Sequence, residues 1–204
     1  LTADALTSGK TNIAMGHNAL GASTTGCYNI AIGELAMDAL TTGACNIAMG
    51  HNALGAATTG YYNVAIGRSA LLTSTTGCFN VAIGKAALGG ADTTGVNNVA
   101  IGATSMDALT TGSVNVAMGE NALGASTTGC RNIAIGQTAL GVGVTTGNSN
   151  IALGNAAMDA MTSGACNLAI GGGNTHGAMT IGIFNIALGT SAMANVTTGQ
   201  ADNN

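Results

Sequence analysis

One short pattern recurs along the whole chain and decides what it can fold into. Asn, an aliphatic residue, Ala, an aliphatic residue or Met, and Gly occur in that order eleven times, with Asn at 12, 29, 46, 63, 80, 98, 115, 132, 150, 167 and 185. Successive Asn numbers differ by 17, and by 18 at three places. A Gly precedes each Asn by three positions and usually closes Thr-Thr-Gly, as in Thr24-Thr25-Gly26 and Thr93-Thr94-Gly95. After the pentapeptide comes a small residue and then Leu or Met, as in Ala19-Leu20, Ala36-Met37 and Ala122-Leu123. A further Thr-Thr-Gly at 197–199 opens a twelfth unit. A fixed period of this size is the mark of a solenoid, in which each unit rests on its neighbours. The reading is one continuous array over 1–204, with regular coils over 7–170, an irregular coil over 171–184 and last coils over 185–204.

Within a unit the alternation has period two. Around Cys27–Gly33, Tyr28, Ile30 and Ile32 fall on one side and Cys27, Asn29, Ala31 and Gly33 on the other, which is strand periodicity. β-branched residues after Asn suit a pleated strand. Gly every seven to ten residues and the lack of a 3.6-residue apolar period exclude helices. The expected fold is all-β: a parallel β-solenoid of about twelve coils with two or three short strands per coil. One coil has three or four large apolar side chains, too few to offset the entropy of ordering its backbone. Stacking must therefore supply the stability, and Asn at one phase in every coil is expected to form an internal amide ladder. At about 4.8 Å per coil, twelve coils make a rod of roughly 55–60 Å.

The third residue of the motif is Ala in all eleven copies: Ala14, Ala31, Ala48, Ala65, Ala82, Ala100, Ala117, Ala134, Ala152, Ala169 and Ala187. A solvent-facing site would drift to polar residues and a roomy one to Val or Leu, so these alanines mark a tight interface or core. With Ile and Val on the other side, the strand reads as dry on both faces. That points to a homo-oligomer with close backbone approach, and three-fold symmetry is the expected form.

Composition narrows the function classes. Only 6% of residues are charged, the net charge is −4, and four Lys plus Arg cannot form a basic footprint for nucleic acid. No apolar run approaches the length of a membrane span, and no secretion signal is read. Cys27, Cys78 and Cys130 follow the Thr-Thr-Gly glycine directly; Cys45 and Cys166 sit one place later. Without a Cys-x-x-Cys they read as small apolar residues, and a Cys27–Cys45 disulfide is disfavoured by their difference in phase.

The units Asn-Ile-Ala-Ile-Gly-x-x-Ala-Leu and Thr-Thr-Gly-x-x-Asn resemble the repeats of trimeric autotransporter adhesin heads, and still more the related repeats of phage tail-fibre and bacterial surface proteins. The resemblance runs from residue 9 to about 199. It implies a trimeric left-handed parallel β-roll at the tip or shaft of a fibre, located outside the cell or on a virion.

Two phases vary while the frame stays fixed. The residue after the strand's Gly forms a polar stripe that includes His17, Glu34, His51, Arg68, Lys85 and Glu120. It reads either as a solvated edge or as a binding strip. The pair after the Thr-Thr-Gly glycine holds all five aromatics, among them Tyr28, Tyr61, Tyr62 and Phe79, together with Arg131. These either pack on one another or contact a receptor or surface glycan. His176 lies in the irregular segment Gly171–Gly177, expected to bulge outward, and is a further candidate contact. His17 and His51 share a phase but lie two coils, about 10 Å, apart, too far to share a metal. Asp38, Asp107 and Asp159 recur at a turn phase and are expected to bond local backbone. Asn195-Val196-Thr197 matches a glycosylation sequon, as chance allows in such a chain.

No nucleophile elbow, phosphate loop, zincin motif or paired catalytic acids are present in the sequence, so no catalytic, cofactor or metal residues are assigned and an enzyme is not expected. The expected function is a structural or adhesive segment of a trimeric fibre, binding its own kind and a cell-surface glycan or protein. Two alternatives stand beside it: an ice-binding solenoid, prompted by the Thr-Thr pairs, and a self-assembling filament subunit, prompted by uncapped coil ends.

Overall fold

The structure is a computed structural model, and it describes residues 7–173, 175–176 and 180–193. Each Asn motif forms one three-residue strand. The strands are β1 (Ile13–Met15), β2 (Ile30–Ile32), β3 (Ile47–Met49), β4 (Val64–Ile66), β5 (Val81–Ile83), β6 (Val99–Ile101), β7 (Val116–Met118), β8 (Ile133–Ile135), β9 (Ile151–Leu153), β10 (Leu168–Ile170) and β11 (Ile186–Leu188). They form a single parallel sheet in strict chain order. Alanine meets alanine in every pairing, from Ala14↔Ala31 to Ala169↔Ala187. The fold is a parallel β-solenoid, all-β as expected. The sequence at 197–199 lies outside the described residues.

The described coils contain one strand each where two or three were expected. The rest of the coil turns through left-handed residues instead. In the second coil these are Tyr28 (φ 59°), Leu35 (φ 57°) and Met37 (φ 52°), and the same three phases repeat along the array. Alternating hand keeps the chain from extending, yet the inter-coil bonds continue: Leu35 N–H donates to His17 O at 2.9 Å and Met37 N–H to Ala53 O at 3.0 Å. Left-handed geometry costs a non-glycine residue about 1–2 kcal/mol. Here that cost is met by bonds to neighbouring coils and by burial of the Leu or Met side chain.

The interior is thin. Into it point the strand alanines, the Ala-Leu or Ala-Met pair, and a third position that holds Ser23, Leu40, Ala57 and Ser74 in successive coils, all buried. Asn runs through it as a spine. Asn115 N–H and Nδ2 both donate to Asn98 Oδ1, at 3.0 and 3.1 Å, and Nδ2 also donates to Gly129 O at 2.8 Å. Asn132 N–H then donates to Asn115 Oδ1 at 2.9 Å. The expected amide ladder is present, and it explains the fixed spacing between Gly and Asn. From Asn12 to Asn167, each amide donates to the carbonyl of the glycine that precedes the next coil's Asn by three positions.

From Gly16 to Gly171, the glycine ending each strand sits under the same glycine of the next coil. Gly102 has φ +132°, and a Cβ there would lie 2.5 Å from Gly119 O. Backbone thus approaches backbone where no side chain fits.

Candidate interaction surface

The strand alanines face the coil interior, so their dryness comes from their own chain. Ala31, Ala48 and Ala65 are fully buried without any partner, and Ala14, in the first coil, is partly buried. An oligomer interface on the alanine side is therefore corrected: that side is core. So short a coil closes into a ring too narrow to take Ile on its inner side, and the small residue of the alternation turns inward.

The large residues turn outward. One row runs Ile13, Ile30, Ile47, Val64, Val81, Val99, Val116, Ile133, Ile151, Leu168, Ile186. The other runs Met15, Ile32, Met49, Ile66, Ile83, Ile101, Met118, Ile135, Leu153, Ile170, Leu188. All are apolar, none is charged, and none is buried. Sequence reasoning missed this surface because alternation separates two sides without saying which one is inner. The signal was the size difference between the rows.

Two stripes border the sheet face. On one edge lie Tyr28, Tyr62 and Phe79, all more than half exposed, with Arg131 and Phe184 further along. The rings of Tyr62 and Phe79 stack at 5.0 Å and 13°. Tyr61 is exposed one residue earlier, and Arg131 Nε reaches Ser149 Oγ at 3.4 Å. On the other edge His17, Glu34, His51, Arg68, Lys85 and Glu120 are all exposed. Gln137 Nε2 donates to Glu120 Oε2 at 3.1 Å there, an amide–carboxylate step between coils.

His176 lies elsewhere than expected. It is fully buried, with Thr175 beside it, so these two residues do not bulge outward and His176 is not a surface contact. Met158 N–H donates to Thr175 O at 2.8 Å, as Leu20 N–H donates to Ala36 O in a regular coil. Thr175-His176 thus fills the place of Ala-Leu, displaced by the one extra residue of this long coil. The imidazole Nε2 lies 3.2 Å from Met193 Sδ, and Nδ1 has no partner. Burial pushes its pKa below the ordinary histidine value.

Asp107 Oδ1 is buried and has no hydrogen-bond partner among the described residues. Burial raises its pKa, partly offset by a backbone hydrogen bond from Gly90. Asp159 is raised by burial too, against hydrogen bonds from the Ala160 and Asp159 amides. The five cysteines are free thiols. The sequon at 195–197 lies outside the described residues.

Among the described residues there is no pocket, and no group of three or more His, Cys, Asp or Glu could hold a metal. No described helix is long and apolar enough to cross a membrane. No family model, curated protein or solved structure matches the chain.

Proposed function

We propose that this chain is a structural and adhesive segment of a homotrimeric fibre, on a virion or a cell surface, that spans distance and takes part in attachment. The observation that carries the reading is the unbroken stack. The described coils share one register and one satisfied asparagine spine, and the outside presents a long apolar face in place of a cleft. A continuous ladder of this kind transmits position and load along its length. It assembles no convergent acid, base and nucleophile among the described residues, so no catalytic role is assigned. Of the exposed edge residues, Tyr61 and Arg131 are proposed for receptor or glycan contact, and Tyr28, Tyr62 and Phe79 for contact with a neighbouring copy of the chain. Sedimentation equilibrium of the purified chain tests the assembly: a mass of three 19.5 kDa chains is expected, and a stable monomer overturns it.

A second reading, ice binding, draws on the outer threonines. Thr25, Thr42, Thr76, Thr111 and Thr128 are exposed at one phase, about 4.8 Å apart in neighbouring coils. Their preceding neighbours are already engaged: Thr41 Oγ1 donates to Thr58 O at 3.1 Å and Thr110 Oγ1 to Thr127 O at 3.0 Å. One outward hydroxyl row is a sparse template, so this reading ranks second. A monomer that shows thermal hysteresis would put it first.

A further inference from the structure

We infer that the outer face of the β1–β11 sheet is the surface on which copies of this chain pack, rods side by side. The inference rests on the fibre reading and deepens it by naming the face and its occupant.

Size is the first argument. Eleven strands at about 4.8 Å and three residues at about 3.3 Å give a flat footprint of roughly 500 Å². With the adjoining stripe, which carries Tyr28, Tyr62, Phe79, Val114 and Phe184 beside the polar Asn97, Arg131 and Ser149, the mixed footprint widens to roughly 800 Å², the share each partner contributes to a stable interface. The sheet face alone lies at the upper end of the roughly 300–600 Å² that the largest apolar patch of a monomer covers, a size that is often functional.

Periodicity is the second argument, and it selects the occupant. The face repeats two aliphatic knobs at every coil with one unchanging pitch. A globular partner matches such a surface over a few coils only. A surface with the same pitch along the whole length matches all of it, and a second copy has that pitch by construction.

The borders supply the third argument. Around an axis parallel to the rods, the aromatic edge of one copy meets the polar edge of the next, coil against like coil. Tyr62 and Arg68 lie on opposite edges of the same coil's sheet face, as do Phe79 and Lys85. Arg and Lys over aromatic faces form cation–π contacts. The only stacked aromatic pair among the described residues thus falls opposite its two neighbouring cations.

Methionine gives a direct test. Met49 and Met118 are on the outer face, each 40% exposed in the single chain, while Met37 and Met106 are fully buried in the coil interior. Peroxide converts accessible Met to the sulfoxide. The full chain is treated with hydrogen peroxide at about 50 µM protein, and each Met is followed by peptide mass spectrometry. If the face is packed, Met49 and Met118 oxidise as slowly as Met37 and Met106. Outer methionines oxidising more than about tenfold faster in a sample of three-chain mass overturn this face and leave the fibre standing. A monomeric sample overturns the fibre itself. The paired variant Ile66→Lys/Ile135→Lys places charges on the face at exposed positions. It is expected to sediment as a monomer, with Met49 and Met118 released and Met37 and Met106 still protected. An undiminished assembly in that variant overturns the face. If the variant unfolds, Met37 and Met106 oxidise as well, and the wild-type pattern decides alone.

Discussion

Asparagine in this chain is chosen for a pair of opposite capacities. Its amide nitrogen donates to a glycine carbonyl while its oxygen accepts from the next coil, and both partners are buried. Aspartate has the shape and lacks the donor. Asn115→Asp would set a carboxylate oxygen against Gly129 O, where Nδ2 now donates at 2.8 Å. The expected loss is at least about 2–3 kcal/mol, read as a lower urea midpoint at neutral pH. Val114 offers the opposite change. Its φ of 62° is left-handed and its side chain is β-branched and exposed, while Asn97 holds the same phase one coil earlier. In the monomeric Ile66→Lys/Ile135→Lys background, where Val114 stays exposed, Val114→Asn should stabilise the chain by about 1 kcal/mol, visible as a raised Tm. The fixed phase of Asn made the ladder readable from the sequence. The left-handed phases were not readable, since Tyr, Cys, Val and Arg occupy them without a common local preference; stacking imposes that geometry.

At the scale of one coil, the strand followed from alternation and the turn from glycine. The count of strands did not, because regular inter-coil bonds persist through turns that are not extended. The strand-end glycines are a sharp test of coil contact. Gly102→Ala meets Gly119 O, whereas a Cβ on Gly189, at φ +110°, meets nothing within 4 Å. The first substitution should cost at least about 2 kcal/mol more than the second, which bears only backbone strain. The irregular coil has its own signature. His176 is kept neutral by burial, so the unfolded chain binds a proton that the folded chain refuses. Its contribution is intact above the ordinary histidine pKa of 6.5 and is lost as pH falls through that value toward the lowered one. The raised Asp107 and Asp159 act in the reverse sense at lower pH, since their folded forms favour the proton. Thermal melts at pH 7.5 and 5 should therefore be compared between wild type and His176→Met. The variant, with the residue used by regular coils, should lose less stability on acidification.

Across the whole molecule, stability is a sum of near-identical interfaces, and position in the stack sets how firmly a coil is held. Hydrogen exchange should show it. The Asn98 and Asn115 amides, at mid-stack, should exchange roughly tenfold or more slowly than Asn29 and Asn185 near the ends, although all four bond the preceding Asn Oδ1 at 2.9–3.0 Å. Equal protection would mean that the array opens only as a unit. Size, repeat and architecture were legible in the primary structure. Which side of the strand looks outward was not: it depends on how wide the ring is, and that is a property of the closed coil.

The three long coils leave the sheet undisturbed. Val81 still faces Val99 and Ile133 still faces Ile151 across coils with one residue more than the rest. In two of them the extra residue is taken up half a turn away, around Gly89–Asp92 and Gly141–Val144, where Gly90, Asp92, Val142 and Val144 stand exposed. Asp92 even takes over a lost carbonyl's work, accepting from Thr75 N–H and Oγ1 at 2.9 Å. That corner is a seam at which lineages, or protein engineers, can lengthen, decorate and diversify individual coils while the asparagine spine and the apolar face are inherited intact.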